Sequence, residues 1–167
     1  MTSQVDIANG ALNQIGASTI ISLSDDSKNA RMINQRYDMV RDRVFREHPW
    51  NCLLKRATIA ADTATPEYEY SYQYTLPADC IRLLKTFEMQ DDVDFKVEGR
   101  KIVSDAETMK ILYVARITDT TQYDTSLIET LTAALAADIA YGITGSTTMI
   151  QIMEERYKEK LKDARFA

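Results

Sequence analysis

Histidine and glycine are scarce in this chain of 167 residues: His48 is its single imidazole, and its glycines number five. Any Ser-His-Asp or Cys-His arrangement would have to use His48, and Gly10, Gly16, Gly99, Gly142 and Gly145 fit neither GxxxxGK[ST] nor GxGxxG, so nucleotide binding has no support. Two cysteines, Cys52 and Cys80, lack CxxC spacing, which argues against a disulfide scaffold and a zinc finger and makes a reducing compartment the expectation. No basic segment precedes an apolar run at the N-terminus, so no secretory signal is expected. The most apolar stretch, residues 131–143, contains Asp138 and falls short of the ~20 residues that span a bilayer, so no membrane residence is expected.

What is present is an ordinary acidic composition, 45% apolar and 27% charged with a formal net charge of -5, long enough to bury a core without staples. The charge is uneven along the chain: residues 25–56 carry +3, residues 57–116 carry -4 and residues 117–167 carry -3. Only the 25–56 segment leans basic, which argues against tight direct DNA binding.

Hydrophobic spacing divides the chain into helix, sheet and helix. Val5, Ala8, Leu12 and Ile15 form a helical stripe opened by a Ser3/Asp6 capping box and closed at Gly16. Ala30, Ile33, Tyr37, Val40 and Val44 mark a five-turn helix ending before Pro49. The period then changes: Tyr68, Tyr70, Tyr72 and Tyr74 alternate with polar residues and predict one strand with four tyrosines on a face. Residues 81–87 and 110–116 read as further strands, and 95–103 as a hairpin turning at Gly99-Arg100, with Glu98 opposite Lys101 and Val97 opposite Ile102. A Ser126/Glu129 capping box predicts a third helix ending by Gly145, and Ser146 or Thr147 caps a fourth along Ile150, Met153, Tyr157, Leu161 and Ala164. The expected fold is α+β, mainly α: a four-helix bundle from residues 1–56 and 117–167, with a small antiparallel β lobe inserted at 57–116.

The candidate chemistry is thin. His48 sits where a helix ends, a position that favours a cation without catalysis, and both cysteines adjoin apolar segments as small buried hydrophobes. Asp91, Asp92 and Asp94 lack the spacing of a calcium loop and read as a solvated loop between strands. Glu67 and Glu69 beside the tyrosines would repel a nucleic-acid backbone, so the tyrosine face reads as packing on a core or a neighbouring subunit. Arg31, Arg36, Arg41, Arg43 and Arg46 interleave with acids as a solvated helix face that could meet an acidic protein partner. No catalytic residue, metal or cofactor is indicated.

Specific blocks carry a further step. DIANGALNQIG, ISLSDDSKNARMINQRYDMVRDRVFREHPWNCLLKRATIA, LPADCIRLLK and YVARITDTTQYDTSLIETLTAALAADIAYGITGS, taken in order over nearly the whole chain, resemble the tail tubular protein A family, the head-to-tail adaptors of short-tailed bacteriophages. The resemblance implies a non-enzymatic virion protein, assembled in the host cytoplasm. It would form a ring, usually of twelve copies, between the portal protein and the tail nozzle protein, with genome DNA passing through the lumen without specific binding. Trp50, Pro77, Cys80 and Arg82 would be structural positions of that family joining bundle to sheet. Within this frame Arg156, Lys160, Arg165 and Phe166 are candidates for the portal interface. Arg31, Arg36, Arg43, Arg46, Tyr70 and Tyr72 are candidates for the subunit interface, and Asp91, Asp92 and Asp94 for a non-sticking lumen wall. The alternatives are a head-completion connector or stopper of long-tailed phages and, from another class, a nucleic-acid-binding regulator, which would need a basic face.

Overall fold

The computed structural model describes residues 2–88, 91–92 and 94–166. The fold is mixed α+β, with four helices and two small antiparallel sheets. Two compact units divide the chain, residues 1–52 with 117–167, and residues 53–116.

In the helical unit the local chemistry sets each boundary. Helix α1 (Gln4–Gln14) opens on a reciprocal box: the Asp6 amide donates to Ser3 Oγ at 3.1 Å and the Ser3 amide to Asp6 Oδ2 at 2.8 Å. Its core face is Ile7, Ala8, Ala11, Leu12 and Ile15, while Val5 is only half-buried. The Asn9 side chain both accepts from and donates to the Ile20 backbone at 2.8 Å, folding the following link back onto α1. Helix α2 (Lys28–Glu47) is capped by Ser27 and buries Ala30, Ile33, Tyr37, Val40 and Val44, the stripe read from its spacing. It ends at His48, in extended backbone ahead of Pro49.

Helix α3 (Thr125–Thr144) starts earlier than its Ser126/Glu129 spacing predicts. The Asp124 carboxylate accepts the Leu127 amide at 2.8 Å, a strong cap that draws Ser126 inside the helix, and Glu129 turns instead to Lys160. Gly145, at φ 68, closes α3, and Ser146 accepts the Met149 amide to open α4 (Thr147–Arg165), which buries Met153, Leu161 and Ala164. Helix α3 packs against α1, α2 and α4 alike. It is long and apolar enough to cross a membrane by length and composition, but Leu127, Leu131, Leu135, Ile139 and four alanines are fully covered by protein.

The β unit begins before residue 57: strand β1 (Leu54–Ile59) pairs with β7 (Met109–Ala115), so residues 53–56 belong with the sheets rather than with the helices. Strands β1, β7, β3 (Cys80–Glu88) and β4 (Asp91–Asp92) lie in that order in one sheet. The others, β2 (Tyr72–Thr75), β6 (Lys101–Ser104) and β5 (Lys96–Glu98), form the second. The β5–β6 hairpin has the expected register, Val97 with Ile102 and Glu98 with Lys101, around Gly99 at φ 60.

Two expectations are corrected here. The tyrosine strand is only four residues long, because Glu69 adopts φ 74 and the Tyr70 amide donates to the Tyr68 carbonyl at 2.9 Å, a three-residue turn that breaks extension. Tyr74 is buried and bonds the Ala106 carbonyl through its hydroxyl, whereas Tyr68 is 81% exposed. Asp91 and Asp92 pair with Glu88 and Phe87 as a short strand rather than a loop.

Trp50 locks the end of α2: it is buried, its indole Nε1 donates to the Val44 carbonyl at 2.9 Å, and its ring meets that of His48 edge-on. Trp50→Ala should destabilise the protein by about 3–5 kcal/mol. Trp50→Phe should cost less, leaving chiefly the Val44 carbonyl without its donor, about 1–3 kcal/mol. Since Trp50 is the only tryptophan, both are read from urea unfolding followed by circular dichroism.

Candidate functional site

Among the described residues no group of three or more His, Cys, Asp or Glu side chains could hold a metal ion. His48 is half-buried against Trp50 at the end of α2. Cys80 is buried, and Cys52 is half-buried, its thiol pushed up by burial, which disfavours the reactive thiolate. What the molecule offers is surfaces.

The arginines of α2 are largely committed to acids of their own unit. Arg36 grips Asp138 of α3 with two bonds, at 2.7 and 3.0 Å, and Asp138 is nearly enclosed. Arg41, itself buried, bridges Asp38 and Asp42, and Arg31 pairs with Asp26 at 2.8 Å on the surface. Arg43 is exposed and lies over the Tyr157 ring at 5.8 Å, and Arg46 is exposed. Of these arginine candidates for a subunit interface, Arg31, Arg43 and Arg46 are exposed and Arg36 is half-buried.

The four residues of the portal set separate along α4. Arg156 and Lys160 line one depression with Gln14 of α1 and Ile128, Glu129 and Thr132 of α3, and Lys160 pairs with Glu129 at 3.2 Å. Arg165 and Phe166 lie at the other place, the end of α4, where Arg165 reaches the Glu47 carbonyl at 3.5 Å and Phe166 is 81% exposed. Tyr70 and Tyr72 are both half-buried in the β unit, Tyr70 facing the Lys96 ammonium at 5.7 Å. Lys96 also pairs with Glu69, and that contact holds its ammonium above the ordinary lysine range. Of the acidic set, Asp94 is exposed, while the side chains of Asp91 and Asp92 lie outside the described residues.

The LPADC block has a physical role that the sequence alone did not expose. Arg100, from the β5–β6 turn, donates to the Pro77 carbonyl at 2.6 Å and the Cys80 carbonyl at 2.8 Å, and its own carbonyl accepts the Leu76 amide. One guanidinium thus fastens the hairpin tip to the turn that launches β3. Cys80 is buried behind this clamp and Arg82, two residues on, is exposed. A residue read as half of a turn dipeptide gave no signal of that contact.

Asp79 ties the same turn to the sheet, accepting from Lys55 at 3.0 Å and from the Tyr113 hydroxyl at 3.0 Å. Burial pushes its carboxyl up, but Lys55 and Tyr113 outweigh that and hold it below the ordinary value; burial and Asp79 push Tyr113 to about 12. A carboxyl depressed on folding contributes stability above its unfolded pKa and loses it as pH falls through the folded one. Urea midpoints should therefore drop as pH falls below the ordinary aspartate value of 3.8, and Asp79→Asn should reduce that drop while lowering the neutral-pH midpoint. An unchanged acid dependence in the variant would remove Asp79 from this role.

No family model matches the sequence. No curated protein matches it significantly.

Proposed function

We propose that the protein is a structural component of a phage virion, a head-to-tail adaptor that joins the portal to the tail nozzle as a ring and lets genome DNA pass through. The observation that carries this reading is the ordered set of sequence blocks, from DIANGALNQIG to the α3–α4 hairpin, in register over nearly the whole chain. In this reading the helical unit is a four-helix bundle and the β unit its lobe. The ring is homo-oligomeric, of twelve copies by family resemblance, and the protein works without catalysis.

Two features of the surface support it. Phe166 is a large apolar side chain standing in solvent at the end of α4, beside Arg165, where a partner could order it. Arg43 is exposed on α2, where it can serve a heterologous contact, in which one edge of a subunit meets a different edge of the next.

Electron microscopy of the protein mixed with its cognate portal tests the reading: a ring of protein on the portal is expected, and portals left bare at saturating protein would refute it. Truncation after Ala164 should abolish that ring while preserving the helical circular dichroism spectrum. Normal ring formation by the truncated chain would move the portal contact away from Arg165 and Phe166.

A further inference from the structure

Strand register gathers cations that are far apart in sequence. Arg56 of β1 lies opposite Leu112 of β7, and Lys85 of β3 lies opposite the same Leu112 from the other side; Thr58 and Phe87 flank Lys110 in the next row. The bulge between Leu83 and Lys85 is what returns Lys85 to this face after Arg82, which is in register with Val114. Arg56, Arg82, Lys85 and Lys110 are all exposed, in contrast to Met109, Ile111 and Tyr113, which face the other way and are buried. Among the described residues Arg56, Lys85 and Lys110 form no ion pair, unlike Lys55, Lys96 and Lys101 of the same unit, each of which holds a carboxylate. Arg56, Thr58, Phe87 and Lys110 also wall a depression of about 370 Å³.

We infer that this face of the four-stranded sheet, centred on Arg56, Lys85 and Lys110, binds the phosphate backbone of duplex DNA. With strands about 4.8 Å apart and residues about 3.4 Å apart along a strand, Arg56 and Lys85 stand about 10 Å from each other and Lys110 about 7 Å along. That patch covers a few phosphates of a strand carrying one charge per about 3.4 Å. The occupant is a polyanion because four exposed cations, Arg56, Arg82, Lys85 and Lys110, share this face around Leu112, and no acidic residue of β1, β3 or β7 stands in these three rows. The backbone of Asp92, on the edge strand β4, is in register with Phe87. Since Thr58 is the sole neutral hydrogen-bonding side chain in these rows, the contact positions DNA without reading its sequence. This inference goes beyond the adaptor reading and is tested apart from it, because neither portal nor ring enters the measurement.

Fluorescence polarisation of a labelled 20-base-pair duplex, titrated with the full chain, gives the test. Three phosphate contacts predict a log-log salt slope of about -2.7, hence about 40-fold weaker binding at 200 mM than at 50 mM salt. Lys85→Glu/Lys110→Glu should lose binding at least 10-fold with an unchanged circular dichroism spectrum, and Lys85→Arg/Lys110→Arg should retain it. Lys158→Glu/Lys162→Glu on α4 changes the net charge equally and should bind nearly as the parent does. No binding at 50 mM salt, an unaffected sheet variant, or an equal loss in the α4 variant would each overturn the inference.

Discussion

The helical unit depends on one constraint, that the long apolar face of α3 must be covered. Leu127, Leu131, Leu135 and Ile139 supply its apolar bulk, and Ala133, Ala134, Ala136 and Ala140 let neighbouring backbones come close. A helix so nearly uniform carries little directional information of its own, since any neighbour could slide along it. Its two acids supply that information: Asp138 is held by Arg36 from α2, and Glu129 meets Lys160 from α4. The two-bonded Arg36–Asp138 pair, with Asp138 nearly enclosed, carries more of this than Lys160–Glu129, which is half in water, where such pairs contribute about 0–1 kcal/mol. Gly10 of α1 faces Thr132 so closely that a Cβ there would stand 3.0 Å from the threonine methyl, which fixes the third neighbour by shape instead of charge.

That constraint changes the meaning of the charge distribution. The segment 25–56 carries the only positive balance in the linear count, yet Arg31, Arg36 and Arg41 face Asp26, Asp138, Asp38 and Asp42 within the helical unit. The segment 57–116 is net acidic, yet Arg56 and three of its bases converge on one sheet face while several of its acids, Asp62, Glu69 and Asp79 among them, are occupied by lysines elsewhere. Charge counted by segment therefore does not predict the cations that the four-stranded sheet presents on one face.

Much of the fold was legible wherever a single short-range rule decides the outcome. The α2 stripe, the Ser3/Asp6 box, the Ser146 cap and the Glu98–Lys101 register each follow from spacing within one element. The misreadings arise where two local rules compete or where a contact is distant. Asp124 outcompeted Ser126 as a cap, and a left-handed Glu69 cut short an alternation that would otherwise have made a longer strand. The Arg100 clamp and the basic sheet face join residues separated by twenty or more positions, and the latter requires a bulge that hydrophobic pattern does not announce. Candidate surfaces were accordingly less legible than helices: Arg36 looked like any solvated arginine until Asp138 was seen beside it.

The central claim is that Arg36 and Arg41 of α2 serve the fold while Arg56, Lys85 and Lys110 of the sheet remain available. Arginine-selective chemical labelling of the native protein, resolved by residue with mass spectrometry, tests this most directly. Arg56 should be modified rapidly, Arg36 more slowly, and Arg41, whose side chain is only 9% exposed, no faster than the protein unfolds. Labelling of Arg41 and Arg36 at the rate of Arg56 would contradict the account.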